Sequence, residues 1–517
     1  MYTDDVRAPS DLPNDIDSLK RLILEQRAAL LSRQLEIDKL KLQLARLRRM
    51  HFGRSSEQLD QHIAQLELSL EELEASEAVL AAVAAPKSSS AVPKQQPIRR
   101  PLPEHLAREE ITHTVSCTCP ACGGELRRLD EDVSEILEQV PARFKVIRHV
   151  RPKMSCVRCQ TIVQAPAPAR PIERGVAGPG LLAHVLVSKY CDHLPLYRQA
   201  QIYAREGVDL DRSTLADWVG AISALLSPLL EALAGHVMSA ATLHADDTPV
   251  PVLAPGTGKT KTGRLWSYVR DERPWGGKGP PGVLFRYSPD RKGEHPRAHL
   301  RRFSGVLQAD GYAGFDQLYQ PGRLIEAACW AHVRRKFFDI HATTASPIAA
   351  EALERIGALY AIETDIRGQA PEQRCALRQA RAGPLLDELH AWLSANLTKL
   401  SKKSELAVAI RYALSRWPAL LRYRDDGRVE IDNNAAERAL RTVALGRKNY
   451  LFAGADSGGE RAAAIYSLIG TAKLNALDPQ AYLRFVLERI AEHPINRIDE
   501  LLPWNVAESE PAIRLAA

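Results

Sequence analysis

Two Cys-x-x-Cys pairs constrain the fold of this chain more than any other single feature. They are Cys119-x-x-Cys122 and Cys156-x-x-Cys159. Each pair can place two thiolates about 2.3 Å from one Zn²⁺ in a tetrahedral site. The segment Phe144–Arg151, between the pairs, alternates apolar and polar residues as a strand does. Two such pairs joined by a hairpin predict a zinc ribbon over residues 105–170. Four cysteines close the coordination sphere, so the predicted role is structural, and so small a core would need its metal to fold.

Two alternatives to this zinc site stay open. Cys117 lies close enough to replace Cys119 as a ligand, although Cys119 has the better spacing. Reduced cysteines packed in a small core are the other alternative. The module is also rich in arginine and lysine, which suits contact with phosphate groups but is equally typical of a solvated strand face. We interpret it as a DNA-binding module.

The chain before the zinc module is predicted to be helical and then extended. Apolar residues recur with heptad spacing over residues 16–47, which predicts a coiled coil through which the chain forms a homo-oligomer. A long amphipathic helix packed on its own chain is the alternative. A second helix is expected over Ser56–Ala82, completing an N-terminal helical region at 1–83. Residues 84–104 are rich in proline, serine and alanine and are predicted to be a flexible linker.

A helical domain is predicted over residues 175–240. Within it, Gln199–Glu206 and Asp211–Val219 could form a helix-turn-helix, because serine, threonine and arginine begin the second helix as in groove-reading elements. The alternative, which we favour, is a pair of packed helices with Leu215, Trp218 and Val219 in a core.

From residue 242 the pattern changes to short strands that carry acidic residues. Asp246 lies in the middle of a β-type run, and Asp310 ends another at Asp310-Gly311. Glu437 lies on a predicted helix that begins near Asp432, on one face with Asn433 and Arg441 at helical spacing. Asp247 is less suited than Asp246 because adjacent strand residues point to opposite faces.

Carboxylates in this arrangement suit phosphodiester chemistry. Two Mg²⁺ ions about 3.5–4 Å apart can activate an attacking oxygen and stabilise a leaving one. Mg²⁺ takes hard oxygen ligands, so Asp246 is expected to bridge both ions, with Asp310 and Glu437 each holding one. Mn²⁺ is an acceptable substitute. Spacing alone is weak support, because 63 acidic residues produce such triples by chance.

The flanking sequence resembles the large transposase of the insertion sequence 66 family. The matching stretches extend in order along nearly the whole chain: Phe52–Glu57, Arg100–His105, the cysteine module, His244–Leu253, Asp310–Phe315, Cys329–Phe337, Asp432–Arg441, Gly446–Gly454 and Glu500–Trp504. The family usually has Asp-Glu-Thr-Pro where this chain has Asp246-Asp247-Thr-Pro. That change falls beside the expected ligand and leaves Asp246 itself in place.

The resemblance implies a multidomain α+β protein with a ribonuclease-H-like α/β catalytic core. That core is expected over 241–470, interrupted by a helical insertion at about 345–425 and followed by a C-terminal tail at 471–517. The resemblance also implies an Asp-Asp-Glu triad that cuts and joins double-stranded DNA at the inverted repeats of a bacterial mobile element. Small companion proteins of the same element are implied partners.

Basic residues beside the triad are expected to face DNA or the reacting phosphate. They are His332, Arg334, Arg335, Arg441, Arg447 and Lys448. Two other functions share these features: a catalytically inactive DNA-binding regulator derived from a transposase, and a nuclease of the same fold that cuts without joining.

The segment Leu253–Thr260 looks like a nucleotide-binding loop but fails the pattern. A P-loop needs a glycine at the position of Leu253, and it leads into a helix, whereas a strand is expected here. No nucleotide is therefore predicted as a ligand.

Composition is compatible with a DNA partner without requiring one. The net charge is only +6, but basic residues cluster, as in Arg46–Arg49 and Arg334–Lys336.

No apolar run reaches the roughly 20 residues that span a bilayer, and the acidic N-terminus does not fit a secretory signal. Paired cysteines that bind metal are typical of a reducing compartment, so a cytoplasmic location is expected.

Overall fold

The computed structural model describes residues 15, 102, 104, 106–114, 121–122, 124–140, 143–254, 259–320, 322–447, 449 and 452–514. The predicted coiled coil at 16–47, the helix at 56–82 and the 84–104 linker lie outside these residues, apart from positions 102 and 104. So do Cys117, Cys119 and Lys448. The described chain is a mixed α/β structure with two sheets and many helices.

The first sheet is built on a long antiparallel hairpin. Strands β2 (Leu126–Val140) and β3 (Arg143–Cys156) pair along their whole lengths, with a register shift between Arg128 and Asp130. Strand β1 (Ala107–Thr112) pairs with β3 in parallel, and β4 (Ile162–Gln164) pairs with β3 antiparallel. The predicted strand at Phe144–Arg151 is present and extends further in both directions.

The turn end of this hairpin is part of the main core of the protein. Leu137, Phe144 and Val146 are buried together with residues of the helices and of the second sheet. Glu138 is 3% exposed, and its carboxylate accepts the backbone N–H groups of Gly180 and Leu181 at 3.1 and 2.6 Å. These are free N–H groups at a helix start, where a carboxylate also interacts favourably with the helix dipole. The hairpin is therefore anchored in the core at this end.

Four helices follow the hairpin, as the sequence predicts for residues 175–240. They are α1 (Pro179–Tyr190), α2 (Leu196–Arg205), α3 (Arg212–Leu225) and α4 (Ser227–Met238). Leu215, Trp218 and Val219 of α3 are all at most 5% exposed and belong to the main core. The structure therefore favours packed helices over a groove-reading helix at this position.

The second sheet contains the strands that carry the acidic residues. It comprises β5 (Thr242–Ala254), β6 (Lys259–Arg270), β7 (Gly282–Ser288), β8 (Gly305–Ala309) and β9 (Leu324–Ala327). The strand order is β7-β6-β5-β8-β9. Strands β5, β6 and β7 form an antiparallel meander, whereas β8 and β9 run parallel to β5. Every strand predicted from the sequence in this region is present.

Two strand ends differ from the prediction, each for a visible reason. Strand β6 begins at Lys259 rather than Gly263 because β5 continues to Ala254 and keeps pairing with it. Strand β9 ends at Ala327 rather than at Trp330. The Ala328 and Trp330 N–H groups bond to Ala419 and Ile431 carbonyls instead of continuing the sheet. Because Lys259 and Thr260 lie in a strand, the glycine-rich loop before them leads into a strand, as predicted.

A helical segment interrupts the chain after β9. Helix α7 (Trp330–Thr344) follows the short helices α5 (Glu294–His299) and α6 (Asp316–Tyr319). The segment then contains α8 (Pro347–Ile366), α9 (Pro371–Leu377), α10 (Gly383–Lys399), α11 (Glu405–Ser415), α12 (Trp417–Leu420) and α13 (Arg422–Asp425). Their apolar faces enclose a second core with Trp330, Phe337 and Ile356. Helices are thus present in the region near 345–425 where the sequence predicts them.

The chain returns to the sheet through α14 (Asn434–Gly446) and α15 (Asp456–Leu474). Helix α14 packs on β5 and β6, and α15 lies along β7. Helix α15 crosses position 470, where the sequence interpretation placed a boundary. Helices α16 (Pro479–Arg489) and α17 (Pro503–Ser509) add Tyr482 and Val506 to the main core.

Within the described ranges, no single helix is both long and apolar enough to span a membrane. The bent pair α3 and α4 meets the length and composition criteria when taken together.

A buried ion network stabilises the helical insertion. Arg374 and Arg378 are 1% and 0% exposed, and both bind Glu363, at 3.3 and 2.6 Å. Arg374 also binds Glu430 at 2.6 Å. Removing one partner of a buried pair leaves an uncompensated charge and costs about 3–5 kcal/mol.

We therefore expect Glu363→Ala to lower the free energy of local opening of α8 and α9 by about 3–5 kcal/mol. The measurement is hydrogen exchange followed by mass spectrometry. Asp365→Ala, two residues away on α8, removes an exposed pair with Arg381 and should cost at most about 1 kcal/mol. Equal losses in the two variants would contradict a buried role for Glu363.

Candidate active site and zinc centre

The sheet register places two of the predicted catalytic acids side by side. In the parallel pair β5–β8, Ala245 is aligned with Ala309, so Asp246 and Asp310 are the next residues on adjacent strands. Asp246 continues within β5, whereas Asp310 follows the last residue of β8. Neighbouring strands lie about 4.7–4.9 Å apart, so the two acids lie close together where β8 ends.

Asp247 has a different environment from its neighbour Asp246. Its side chain is 1% exposed and forms ion pairs with Arg264 at 2.9 Å and Arg291 at 2.7 Å. The Arg291 guanidinium also lies 3.7 Å from Asp310 Oδ2 and over the Tyr312 ring, 4.1 Å from its centroid. Asp247 therefore holds in place an arginine that faces the acidic pair.

Burial and crowding of negative charge change the pKa of both acids. Burial raises the pKa of Asp246 to about 7, and the carboxylates of Asp310, Asp247 and Glu437 add to this effect. Burial also raises the pKa of Asp310, against the opposing effect of the His332 and Arg291 charges. Such a site favours a bound proton or a bound cation over free carboxylates.

Glu437 lies in the first turn of α14, beside the other two acids. Its Oε2 accepts a hydrogen bond from Arg335 at 3.4 Å, and its Oε1 lies 3.8 Å from His332 Nδ1. Both Glu437 Oε1 and His332 Nδ1 are buried atoms for which the described part of the chain offers no hydrogen-bond partner. One oxygen of the Glu437 carboxylate, Oε1, therefore remains available within the site.

The predicted DNA-binding residues are distributed unevenly around these acids. Arg334, Arg335 and Arg441 are exposed on helices α7 and α14. Arg447 donates to the carbonyl of Pro249 at 2.8 Å, which ties the end of α14 to β5. Lys448 is outside the described residues. The exposed arginines thus flank the acids, and Arg447 has a structural partner.

Three residues that the sequence interpretation did not assign to the site connect its parts. Asn433 was expected on the helix face of Glu437, but it precedes α14 and is fully buried. Cys329 is a buried thiol before α7, and its Sγ accepts the N–H of Asn433 at 3.1 Å. The Cys-x-x-His spacing of Cys329 and His332 could have indicated from the sequence that Cys329 belongs to the site. Arg291 lies in a loop after β7, and nothing in its sequence context distinguishes it.

Three of the four predicted zinc ligands lie together at the far end of the hairpin. The Sγ atoms of Cys122, Cys156 and Cys159 all lie within 4.8 Å of one another. Cys122 Sγ is 3.5 Å from Cys156 Sγ and 3.4 Å from Cys159 Sγ. Backbone N–H groups of Cys159 and Arg158 lower the pKa of the Cys156 thiol. A Cys₃ cluster with such donors fits a structural Zn²⁺, and Cys119 is outside the described residues.

Comparison with family models identifies the chain. The model described as "Transposase IS66 family" matches residues 174–461, and "IS66 C-terminal element" matches 467–504. "Transposase C of IS166 homeodomain" matches residues 39–111, and "zinc-finger binding domain of transposase IS66" matches 116–160. The chain belongs to the IS66 transposase family.

Curated relatives match over almost the whole length. The uncharacterized protein y4hP of Sinorhizobium fredii is 44% identical, covering 92% of this chain and 90% of the relative. Two more from the same organism, y4jD and y4qI, are 40% and 38% identical and each covers 96% of this chain, with 97% and 98% of their own lengths matched. Their names assign no activity.

The raised pKa of Asp246 predicts a pH-dependent stability. The ordinary value is 3.8 and the folded value about 7, so the folded state binds a proton that the unfolded state has lost. Stability therefore falls as pH rises from about 4 to 7, and the full penalty, at most about 4 kcal/mol, is present above pH 7. In the presence of a metal chelator, Asp246→Asn should raise Tm more at pH 8 than at pH 5.

The measurement is thermal unfolding by calorimetry at both pH values. Asn434→Ala is the matched control, because it alters a polar side chain beside the site without removing a titrating group. A Tm difference between Asp246→Asn and wild type that is the same at pH 5 and pH 8 would show that Asp246 is not responsible.

The cysteine cluster predicts loss of zinc from a single substitution. Cys156→Ser should lower bound zinc, measured by mass spectrometry of the metal content, from about one equivalent to nearly none. Cys375→Ser is the control, since Cys375 lies in the helical insertion and donates to the carbonyl of Asp425 at 3.4 Å. Full zinc retention by Cys156→Ser would rule out this cluster as the site.

Proposed function

We propose that this protein is the DNA transposase of a bacterial insertion sequence. It would bind the terminal inverted repeats and catalyse metal-dependent phosphodiester hydrolysis and strand transfer through Asp246, Asp310 and Glu437. The observation that carries the proposal is the β5–β8 register, because it brings Asp246 and Asp310 together from positions 64 residues apart. Membership of the IS66 transposase family supports the same chemistry.

The strand arrangement supports a ribonuclease-H-like core. In chain order the five strands are arranged 3-2-1-4-5, with the second antiparallel to the first and the last two parallel to it. This is the order we expect of that fold, and the acids occupy the first strand, the end of the fourth strand and a helix after the fifth. Residues 347–425 would then be an insertion into that core.

The residues present fit divalent cations. Mg²⁺ prefers hard oxygen ligands and Mn²⁺ accepts the same set, and the site offers three carboxylates. Burial raises the pKa of Asp246 to about 7, and nearby carboxylates, whose charge a cation would neutralise, add to the effect. The buried Oε1 of Glu437 lies 3.8 Å from His332 Nδ1, and the described residues give it no hydrogen-bond partner. When bound, two such ions would lower the pKa of an attacking water or hydroxyl and stabilise the leaving oxygen.

The side chains around the acids have separate tasks in this proposal. Asp246, Asp310 and Glu437 hold the cations. Arg334, Arg335 and Arg441, exposed beside them, contact phosphates of the bound DNA, and His332 faces the reacting phosphate. Arg291, held by Asp247, keeps positive charge beside Asp310. Phosphate contacts of this kind position DNA but carry no sequence information.

The remaining parts of the proposal concern partners and place of action. Either the zinc module or the helices of 175–240 would recognise the DNA sequence at the ends of the element. The N-terminal coiled coil would form a homo-oligomer, and small companion proteins of the same element are further expected partners. We place the activity in the bacterial cytoplasm, where DNA is accessible and thiols stay reduced.

A strand-transfer assay tests the proposal against its two rivals. The substrate is a pre-cut element end with a target plasmid and Mg²⁺. Joined product supports a transposase, cutting without joining indicates a nuclease, and DNA binding with neither step indicates an inactive regulator. Each outcome separates one class from the other two.

Substitution of the triad gives the sharper prediction. Asp246→Asn, Asp310→Asn and Glu437→Gln should each reduce joining below detection, because a metal ligand is lost, while DNA affinity stays within about twofold. Glu294→Gln removes an exposed acid near the sheet and should join normally. Full joining by any of the three triad variants would show that the triad is assigned wrongly.

A further inference from the structure

Glu437 is separated from Asp246 by 191 residues and by the whole helical insertion. Metal ions in a shared site need their ligands fixed to within about half an ångström. Something must therefore hold α14 to β5 independently of the chain between them. The residue immediately before α14, Asn433, makes such a connection.

We propose that Asn433 is the positioning residue that fixes Glu437 relative to Asp246 for cation binding, an inference that rests on the proposed function. Asn433 is 0% exposed. Its Nδ2 donates to the carbonyl of Ala245 at 2.8 Å, which is the peptide group that joins Ala245 to Asp246. Its own carbonyl accepts the N–H of Glu437 at 3.3 Å. One buried residue thus contacts the backbone of both acids.

The other groups of Asn433 are also occupied. Its Oδ1 lies 3.1 Å from Nδ1 of His244, another buried residue of β5. Since Oδ1 can only accept, His244 donates through Nδ1. The backbone N–H of Asn433 donates to Cys329 Sγ at 3.1 Å, at the start of α7. Helix α7 carries His332 and Arg335, which lie against Glu437.

Asn433 therefore joins three elements at one point: β5 with Asp246, α14 with Glu437, and the start of α7. Buried polar groups that are fully hydrogen-bonded specify one geometry, and losing one partner leaves the others unsatisfied. Mg²⁺ demands near-ideal octahedral geometry, so it is the cation most sensitive to a displaced ligand. Residues that orient ligands in this way typically change metal affinity 10–100-fold when substituted.

A purely structural asparagine would behave differently, and the chain provides one for comparison. Asn475 follows α15 and donates through Nδ2 to the carbonyls of Pro281 and Thr471 at 2.9 and 2.8 Å. It also ties a helix end to another segment, but it contacts no residue of the acidic site. Loss of either asparagine should lower Tm, whereas only loss of Asn433 should weaken cation binding.

The test measures Mn²⁺ binding to the full-length protein directly, by the electron paramagnetic resonance signal of free Mn²⁺. Binding lost in Asp246→Asn defines the site. We expect Asn433→Leu to raise Kd for that site about 10–100-fold. Asn433→Ser, a shorter polar side chain at a helix start, should fold even if the leucine variant does not, and should raise Kd at least about tenfold. Asn475→Ala should leave Kd within about twofold.

Joining assays supply the second measurement. The Mg²⁺ concentration for half-maximal joining should rise for the Asn433 variants, and excess Mn²⁺ should restore part of the rate. Unchanged Kd in a folded Asn433 variant, with Asp246-dependent binding intact in wild type, overturns the positioning role alone. Mn²⁺ binding that does not depend on Asp246 in wild type overturns the proposed active site, and the positioning role with it.

Discussion

Parallel pairing of β5 with β8 is the constraint on which the rest of this site depends. It aligns Ala245 with Ala309 and so places Asp246 and Asp310 next to each other on adjacent strands. Backbone hydrogen bonds impose this proximity on two groups that repel each other when charged. The pKa of Asp246, raised to about 7 by burial and by its acidic neighbours, records that cost. The fold therefore holds together a set of charges that is stable only with a proton or a cation.

The side chains around Asp246 and Asp310 are consistent with a site that needs a proton or a cation. Asp247 is directed to two arginines, so the residue next to Asp246 also holds positive charge near the site. Arg291 reaches Asp310 from that anchor, and His332 Nδ1 lies 3.8 Å from Glu437 Oε1. These two side chains moderate the repulsion and leave carboxylate oxygens available.

The helical insertion is compatible with a fixed site because it has its own core. Trp330 and Phe337 of α7 are buried with residues of α8 to α13, and Glu363 is buried with two arginines. The two ends of the insertion are tied together where it leaves and re-enters the sheet. Trp330 N–H bonds to the Ile431 carbonyl, and Cys329 accepts the N–H of Asn433. Its length therefore has little influence on where Glu437 lies.

Sequence patterns predicted the elements well because each has a local signature. Alternation and turn residues gave every strand of the second sheet, and periodicity gave the helices of 179–238 and 347–425. The Cys-x-x-Cys spacing brought three thiols to one point. Asp246 lies within a strand and Asp310 directly after one, and both placements follow from local patterns.

The connections between elements could not be predicted in this way. Asn433 was placed on a helix face because its spacing from Glu437 is helical, yet it lies before the helix and is buried. Its partners, Ala245 and His244, are nearly 190 residues away. Arg291 and Arg264 meet Asp247 only through the tertiary fold. The early end of β9 depends on carbonyls of Ala419 and Ile431, which arrive from beyond the insertion.

The buried Glu138 has a consequence for the position of the cysteine cluster. It fixes one end of the β2–β3 hairpin to the start of α1, while the cysteine cluster lies at the other end, beyond Leu126. Twelve residues of strand span about 40 Å at 3.3 Å each. The paired strands of the hairpin therefore connect the cysteine cluster to the core over this distance. Strand length, rather than linker length, therefore sets how far the cysteine cluster lies from the core.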